Sequence, residues 1–173
     1  MKTILALVFG FGVASANAAD LIDSISLDVT LGSRHSAKTY RYKGGVYEYN
    51  EKNYGLGITA SFKEFAPRNV EVSAGWYENS YNHTSAYVSV TAKHEFRFGG
   101  FAASPGITFG YATGYEKTPA KAPFLQATVL PNLHISFRGI GVRVGYIPAS
   151  RYANSEDGKV PIAVWTLQSS YKF

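Results

Sequence analysis

Apolar and polar side chains alternate with a period of two through eight segments of this chain, a pattern that fits a β-sheet with two unlike faces. From Ser24 to Leu31, Ile25, Leu27, Val29 and Leu31 interleave with Ser24, Ser26, Asp28 and Thr30. The same pattern recurs over 54–62, 70–78, 85–96, 101–114, 128–137, 140–146 and 162–173. Many of these segments run about 9–11 residues, the length that crosses a hydrocarbon layer when tilted. The connections alternate as well. Those at 35–53, 79–84, 115–127 and 147–161 are long, whereas KEFAPRN (63–69), RFGG (97–100) and RG (138–139) are short. Long loops at one end and tight turns at the other are the asymmetry of bacterial outer-membrane barrels. The fold expected is all-β: an eight-stranded antiparallel transmembrane β-barrel of the bacterial outer membrane.

The ends agree with export to that membrane. Residues 1–19 carry a lysine at position 2, continue through the apolar run Ile4–Val13 and finish in small residues, the layout of a cleaved signal peptide. The apolar run is too short to span a bilayer as a helix, which takes about 20 residues. The barrel domain is then 20–173. It carries 16 basic and 12 acidic residues, scattered without a basic block, which argues against nucleic acid as a partner. There is no cysteine, so neither disulfides nor thiol chemistry enter. Phe173 closes the chain, with Tyr171, Leu167 and Trp165 two, six and eight positions earlier, a pattern resembling the terminal-strand signal of outer-membrane proteins. A soluble lipocalin-like barrel is the alternative. It would not usually set Lys93, Arg143 and Lys172 opposite the apolar stripe.

Topology gathers some of the polar residues. His35 lies just past the outer end of the first strand and Ser80 just past that of the third, so both reach the extracellular rim. Strand parity turns Asn79 inward, above Tyr77, Gly75, Ser73 and Glu71. An imidazole and a hydroxyl at one rim suit base-assisted nucleophilic attack. Asn-Ser-Tyr-Asn-His is also good turn chemistry in its own right. The fifth strand has an inner face of small residues only: Ala102, Ser104, Gly106, Thr108, Gly110 and Ala112. Either Tyr77, Tyr87 or Arg143 fills the space they leave, or a slender acyl chain enters it, with Thr91 or Tyr87 setting the depth. The four histidines show no metal-ligand spacing, and neither metal nor cofactor is expected. His134-Ile135-Ser136 fits the His-x-Ser pattern of a lipid A deacylase, but parity sets His134 inside, towards the periplasmic end, the wrong leaflet for that reaction.

YNEKNYGLGI (49–58), ENSY (78–81), VLP (129–131) and YIPAS (146–150) together resemble the lipid A palmitoyltransferases of the PagP type. The similarity runs over roughly 24–173 and rests on the ordered set and its spacing. It implies transfer of a palmitoyl-like chain from a glycerophospholipid donor to lipid A in the outer leaflet, by a monomer with an acyl pocket inside the barrel. By position His35 and Ser80 carry over as the essential histidine and serine. Asn79 stands where the family has an aspartate. Pro131 and Pro148 match prolines that interrupt strand pairing, which removes ladder donors and opens a lateral path for lipid. Gly106, Gly110 and Thr91 would line the acyl pocket. Asparagine cannot hold a negative charge beside an imidazolium, so Glu78 or Glu51 would have to supply it. The family's amphipathic helix before the first strand has no counterpart here. A non-catalytic barrel that alters cell-surface properties is the alternative function.

Overall fold

A computed structural model of the chain describes residues 21–62, 69–115, 126–150 and 162–173. The segment 1–19, expected to be a signal peptide, lies outside them, as do most of the 63–69 turn, most of the 115–127 loop and 151–161. The strands are β1 (Ile22–His35), β2 (Thr39–Tyr42), β3 (Gly45–Glu48), β4 (Gly55–Phe62), β5 (Asn69–Glu78), β6 (Thr84–Lys93), β7 (Phe96–Phe98), β8 (Phe101–Ala112), β9 (Gln126–Phe137), β10 (Ile140–Ser150) and β11 (Ile162–Lys172). Eight of them form the wall. Each pairs antiparallel with its neighbour in sequence, and β1 pairs with both β4 and β11, which closes the sheet into a barrel. β2 and β3 form a separate hairpin within the first long loop. Its turn, Lys43-Gly44, has both φ angles positive (48° and 78°), the geometry that lets two twisted strands join through two residues.

The strands depart most from their expected bounds in three places. β1 continues past Leu31 to His35, and β10 past Tyr146 to Ser150. The fourth segment breaks at His94-Glu95 into β6 and the short β7.

The barrel is inside-out relative to a soluble protein. Among the described residues only Tyr49 and Ile162 are buried hydrophobics, while thirteen polar or charged residues are buried. Ile25, Leu27, Leu56, Ile58, Val88, Val90, Ile107, Leu133 and Leu167 all lie exposed on the outer surface. Aromatic side chains ring this surface at both ends. Tyr54, Trp76, Tyr111 and Trp165 lie towards the long-loop end, and Phe96, Phe98, Phe101, Phe137, Tyr171 and Phe173 towards the short-turn end. An apolar band between two aromatic girdles is the surface of a barrel that spans the outer membrane, with its long loops extracellular. No helix among the described residues is long and apolar enough to cross a membrane.

The lumen is held by polar contacts between strands. Glu71 on β5 takes Lys93 of β6 at 2.6 Å and Arg143 of β10 at 2.5 Å. β5 and β10 stand opposite each other in the eight-strand ring, so the second of these pairs crosses the lumen. Thr59 donates to Asp28 and shares a 2.6 Å hydrogen bond with Ser73, while Thr91 and Thr108 pair at 2.7 Å. Towards the periplasmic end the lumen opens into a polar cavity of about 220 Å³, bordered by Lys93, Glu71, His134 and Ser170.

Candidate functional site at the extracellular rim

His35 reaches the inside of the barrel through a bulge. The β1–β11 register slips between Thr30 and Gly32, leaving Leu31 as an extra residue. One extra residue exchanges the two faces of a strand. Below the bulge, Ile25, Leu27 and Leu31 face lipid. Above it, Arg34 points outward with its side chain 67% exposed, and His35 is only 7% exposed. A guanidinium turned outward marks the level where β1 has left the apolar band, so His35 belongs to the rim.

A short strap, Tyr49–Asn53, lies against this end of β1. Gly32 makes its approach possible, because a Cβ there would sit 2.6 Å from the Glu51 carbonyl oxygen. That carbonyl accepts the Ser33 N–H at 2.9 Å. The Glu51 side chain turns the same way. Oε1 accepts the His35 N–H at 3.1 Å and lies 3.9 Å from His35 Nδ1, while Oε2 accepts from Arg34 at 3.0 Å. The His35 N–H, and after it the Arg34 charge, hold the Glu51 carboxyl below its usual pKa. The His35 ring stacks face to face on Tyr49, with centroids 4.3 Å apart and planes 4° apart. Burial lowers the His35 pKa, with the Glu51 charge opposing, so the imidazole is neutral at pH 7. Its Nδ1 is buried and makes no hydrogen bond.

The other side of the strap holds the end of β5. Asn50 N–H donates to the Ser80 carbonyl at 2.9 Å, and Asn53 Nδ2 to the Glu78 carbonyl at 2.8 Å. Ser33 donates through its hydroxyl to Asn53 Oδ1, which ties the two sides together. The strap therefore links both of the rim residues named from the sequence. It does not join them directly: the Ser80 hydroxyl makes no hydrogen bond among the described residues.

Asn79 differs from the role that the resemblance implies. It is fully buried, as the parity of β5 requires, and its amide is consumed locally. Nδ2 donates to Ser85 Oγ at 3.0 Å and to the Gly114 carbonyl at 2.9 Å. Oδ1 accepts the N–H groups of Tyr81 at 2.9 Å and His83 at 3.1 Å. None of these partners is His35. Asn79 builds the 79–85 turn, and the carboxylate beside His35 is Glu51.

Tyrosines roof the site. Tyr40 packs on Tyr47, Tyr49 and Tyr81, and Tyr81 on Tyr115, with centroids 4.9–6.2 Å apart. Burial raises the pKa of Tyr40, Tyr49, Tyr81 and Tyr115, so these phenols stay protonated. Below them Tyr87 lies over Gly57 and Gly75, where a Cβ would strike its ring or hydroxyl. The Tyr87 ring therefore lies towards β4 and β5, not against the small face of β8.

The other expected residues fall into two groups. Pro131 and Pro148 both lie beyond the last β9–β10 pair, Asn132–Gly145, so these two strands are unpaired through their outer halves. In contrast, β8 and β9 pair over twelve positions. Gly106, Gly110 and Thr91 face the lumen. Gly106 sits against Lys93 and Asn132, Gly110 against Ser89, and Thr91 is bonded to Thr108, so this stretch of wall is polar rather than apolar.

Sequence reasoning gave no role to Gly32, Tyr49 or Asn53. Tyr49 and Asn53 stood only as members of the 49–58 motif, while Gly32 carried a signal of its own, since a glycine inside an alternating strand often marks a bulge or a close backbone approach.

No family model matches the chain, nor does any curated protein. Among solved structures it is similar to Neisserial surface protein A, at 11% identity over 86% of this chain and 94% of that one, with a TM-score of 0.44. It is also similar to the Yersinia pestis outer membrane protein Ail in a phospholipid bilayer nanodisc, at 14% identity over 87% and 99%, with a TM-score of 0.39. At this level neither likeness bears on activity.

Proposed function

We propose that this barrel is an outer-membrane acyltransferase that moves a palmitoyl-like chain from a phospholipid to lipid A in the outer leaflet. What carries the reading is the strap: it ties the His35 end of β1 to the Ser80 end of β5 at the extracellular rim. The unpaired outer halves of β9 and β10 give lipid a lateral way in. In the reaction, Ser80 Oγ attacks the donor ester carbonyl and its proton passes to His35. The ester C–O bond breaks, and the departing glycerol oxygen takes that proton. A lipid A hydroxyl then attacks the acyl-serine, His35 accepting its proton and returning it to Ser80. General base catalysis of this kind contributes about 10²–10⁴-fold.

The test is mass spectrometry of lipid A from cells expressing the wild type, His35→Ala and Ser80→Ala. A palmitate-sized mass gain with the wild type, lost in both variants, is expected. A gain that survives Ser80→Ala overturns the site. An unchanged profile with the wild type favours the second reading, a non-catalytic barrel that alters the cell surface. The observations on that side are the unbonded Ser80 hydroxyl and the neutral Asn79.

A further inference from the structure

We propose that Glu51 is the positioning residue for His35, filling the place that Asn79 leaves without a charge. This rests on the reading of His35 as the base of the rim reaction.

Three observations converge on Glu51. The first is reach: Oε1 already accepts the His35 backbone N–H and stands 3.9 Å from Nδ1 of the same residue. A small rotation of the ring or the carboxylate closes that distance to a hydrogen bond. The second is the vacancy at Nδ1, a buried ring nitrogen with no hydrogen-bond partner. Burying an unpaired polar atom is costly, and the cost is removed if Nδ1–H donates to Glu51 when substrate binds. The third is the amount of local structure that fixes Glu51. The Leu31 bulge turns His35 inward, Gly32 lets the Glu51 backbone approach, and Arg34 holds the second carboxylate oxygen.

A carboxylate on Nδ1 sets the tautomer in which Nε2 is the free acceptor, and it stabilises the imidazolium formed when Nε2 takes a proton. Asn79 can do neither, because its amide is committed to Ser85, Gly114, Tyr81 and His83. The other groups around His35 are Arg34, whose charge is spent on Glu51, and Tyr49, which covers the ring face and remains neutral.

The experiment pairs Glu51→Gln with Glu51→Asp in the full-length protein, reconstituted in lipid vesicles. Glutamine keeps a side-chain oxygen for the His35 N–H, and the backbone carbonyl still accepts from Ser33, but the charge is removed. The readouts are the His35 pKa, followed by NMR of the imidazole, and the pH profile of acyl transfer. The expected result for Glu51→Gln is a lower His35 pKa, an acidic limb moved to lower pH, and transfer reduced about 10- to 100-fold. Glu51→Asp is expected to recover part of both. An unchanged His35 pKa in Glu51→Gln overturns the inference whatever the activity. A pKa that falls in a protein whose wild type transfers no acyl chain overturns the proposed function and leaves the Glu51–His35 coupling standing.

Discussion

At the scale of single residues, Asn79 sets the resemblance and the structure against each other. The resemblance asks for an aspartate there. The structure needs an amide, because Nδ2 donates to a carbonyl, Gly114, and to Ser85. A carboxylate would keep the two N–H bonds from Tyr81 and His83 but face the Gly114 carbonyl with no proton between them. Asn79→Asp is therefore expected to destabilise the rim by about 1–3 kcal/mol and to lower acyl transfer rather than raise it. Thermal loss of the folded band on unheated gels, together with lipid A analysis, checks both. The His35 environment makes a second expectation. Burial lowers its pKa, so the imidazole stays in its basic form below the usual value of about 6.5. The folded protein then binds fewer protons at this site than the unfolded chain. The stability associated with His35 is complete above the unfolded value and is lost as the pH falls towards the folded one. The acidic limb of the activity should lie below pH 6.5 or so, and a limb above it would contradict the buried placement. The inward face of Asn79 was legible, because β5 alternates without interruption from Asn69 to Glu78. The partner of His35 was legible only as one of two candidates, Glu78 or Glu51, because alternation says nothing of how a loop folds back.

At the scale of elements, the informative feature of β1 is its irregularity. Strict alternation from Ile25 would carry His35 to the lipid face. Leu31 prevents this by standing outside the ladder, and Gly32 permits it by leaving room for the strap. Inserting one residue between Ser33 and Arg34 should exchange the faces above it, send His35 outward and bring Arg34 in. The barrel should still insert, since the band of apolar residues below is untouched, yet transfer should fall to background. Modification of His35 by an aqueous imidazole reagent should rise in parallel. Gly32→Ala tests the same geometry more gently, by pushing the Glu51 carbonyl away. Strand existence was legible almost everywhere in this chain. Strand ends were not: β1 gained Gly32–His35 and β10 gained Ile147–Ser150, because ladder contacts with β11 extended both. The unpaired stretch of β9 and β10 follows from elements too. Pro131→Ala with Pro148→Ala restores two donors, and tighter pairing there should protect the local amides from exchange while slowing lipid access.

At the scale of the whole molecule, the protein is held by two opposite surfaces. Its apolar exterior gains nothing by burial against itself and is satisfied by lipid, so the lumen must supply the cross-links between distant strands. Glu71 is the chief of these, since one carboxylate takes cations from β6 and from β10, on the far wall. That arrangement makes the three charges unequal. Removing Arg143 leaves Glu71 paired with Lys93. Removing the carboxylate takes the direct ion-pair partner from both Lys93 and Arg143 in the lumen. An uncompensated buried charge costs about 3–5 kcal/mol, so Glu71→Leu should destabilise the barrel far more than Arg143→Met. The order should show in the urea concentration at which each barrel unfolds in lipid. If Arg143→Met proves as damaging as Glu71→Leu, the strut across the lumen, rather than charge balance around Glu71, is what keeps the opposite walls in place.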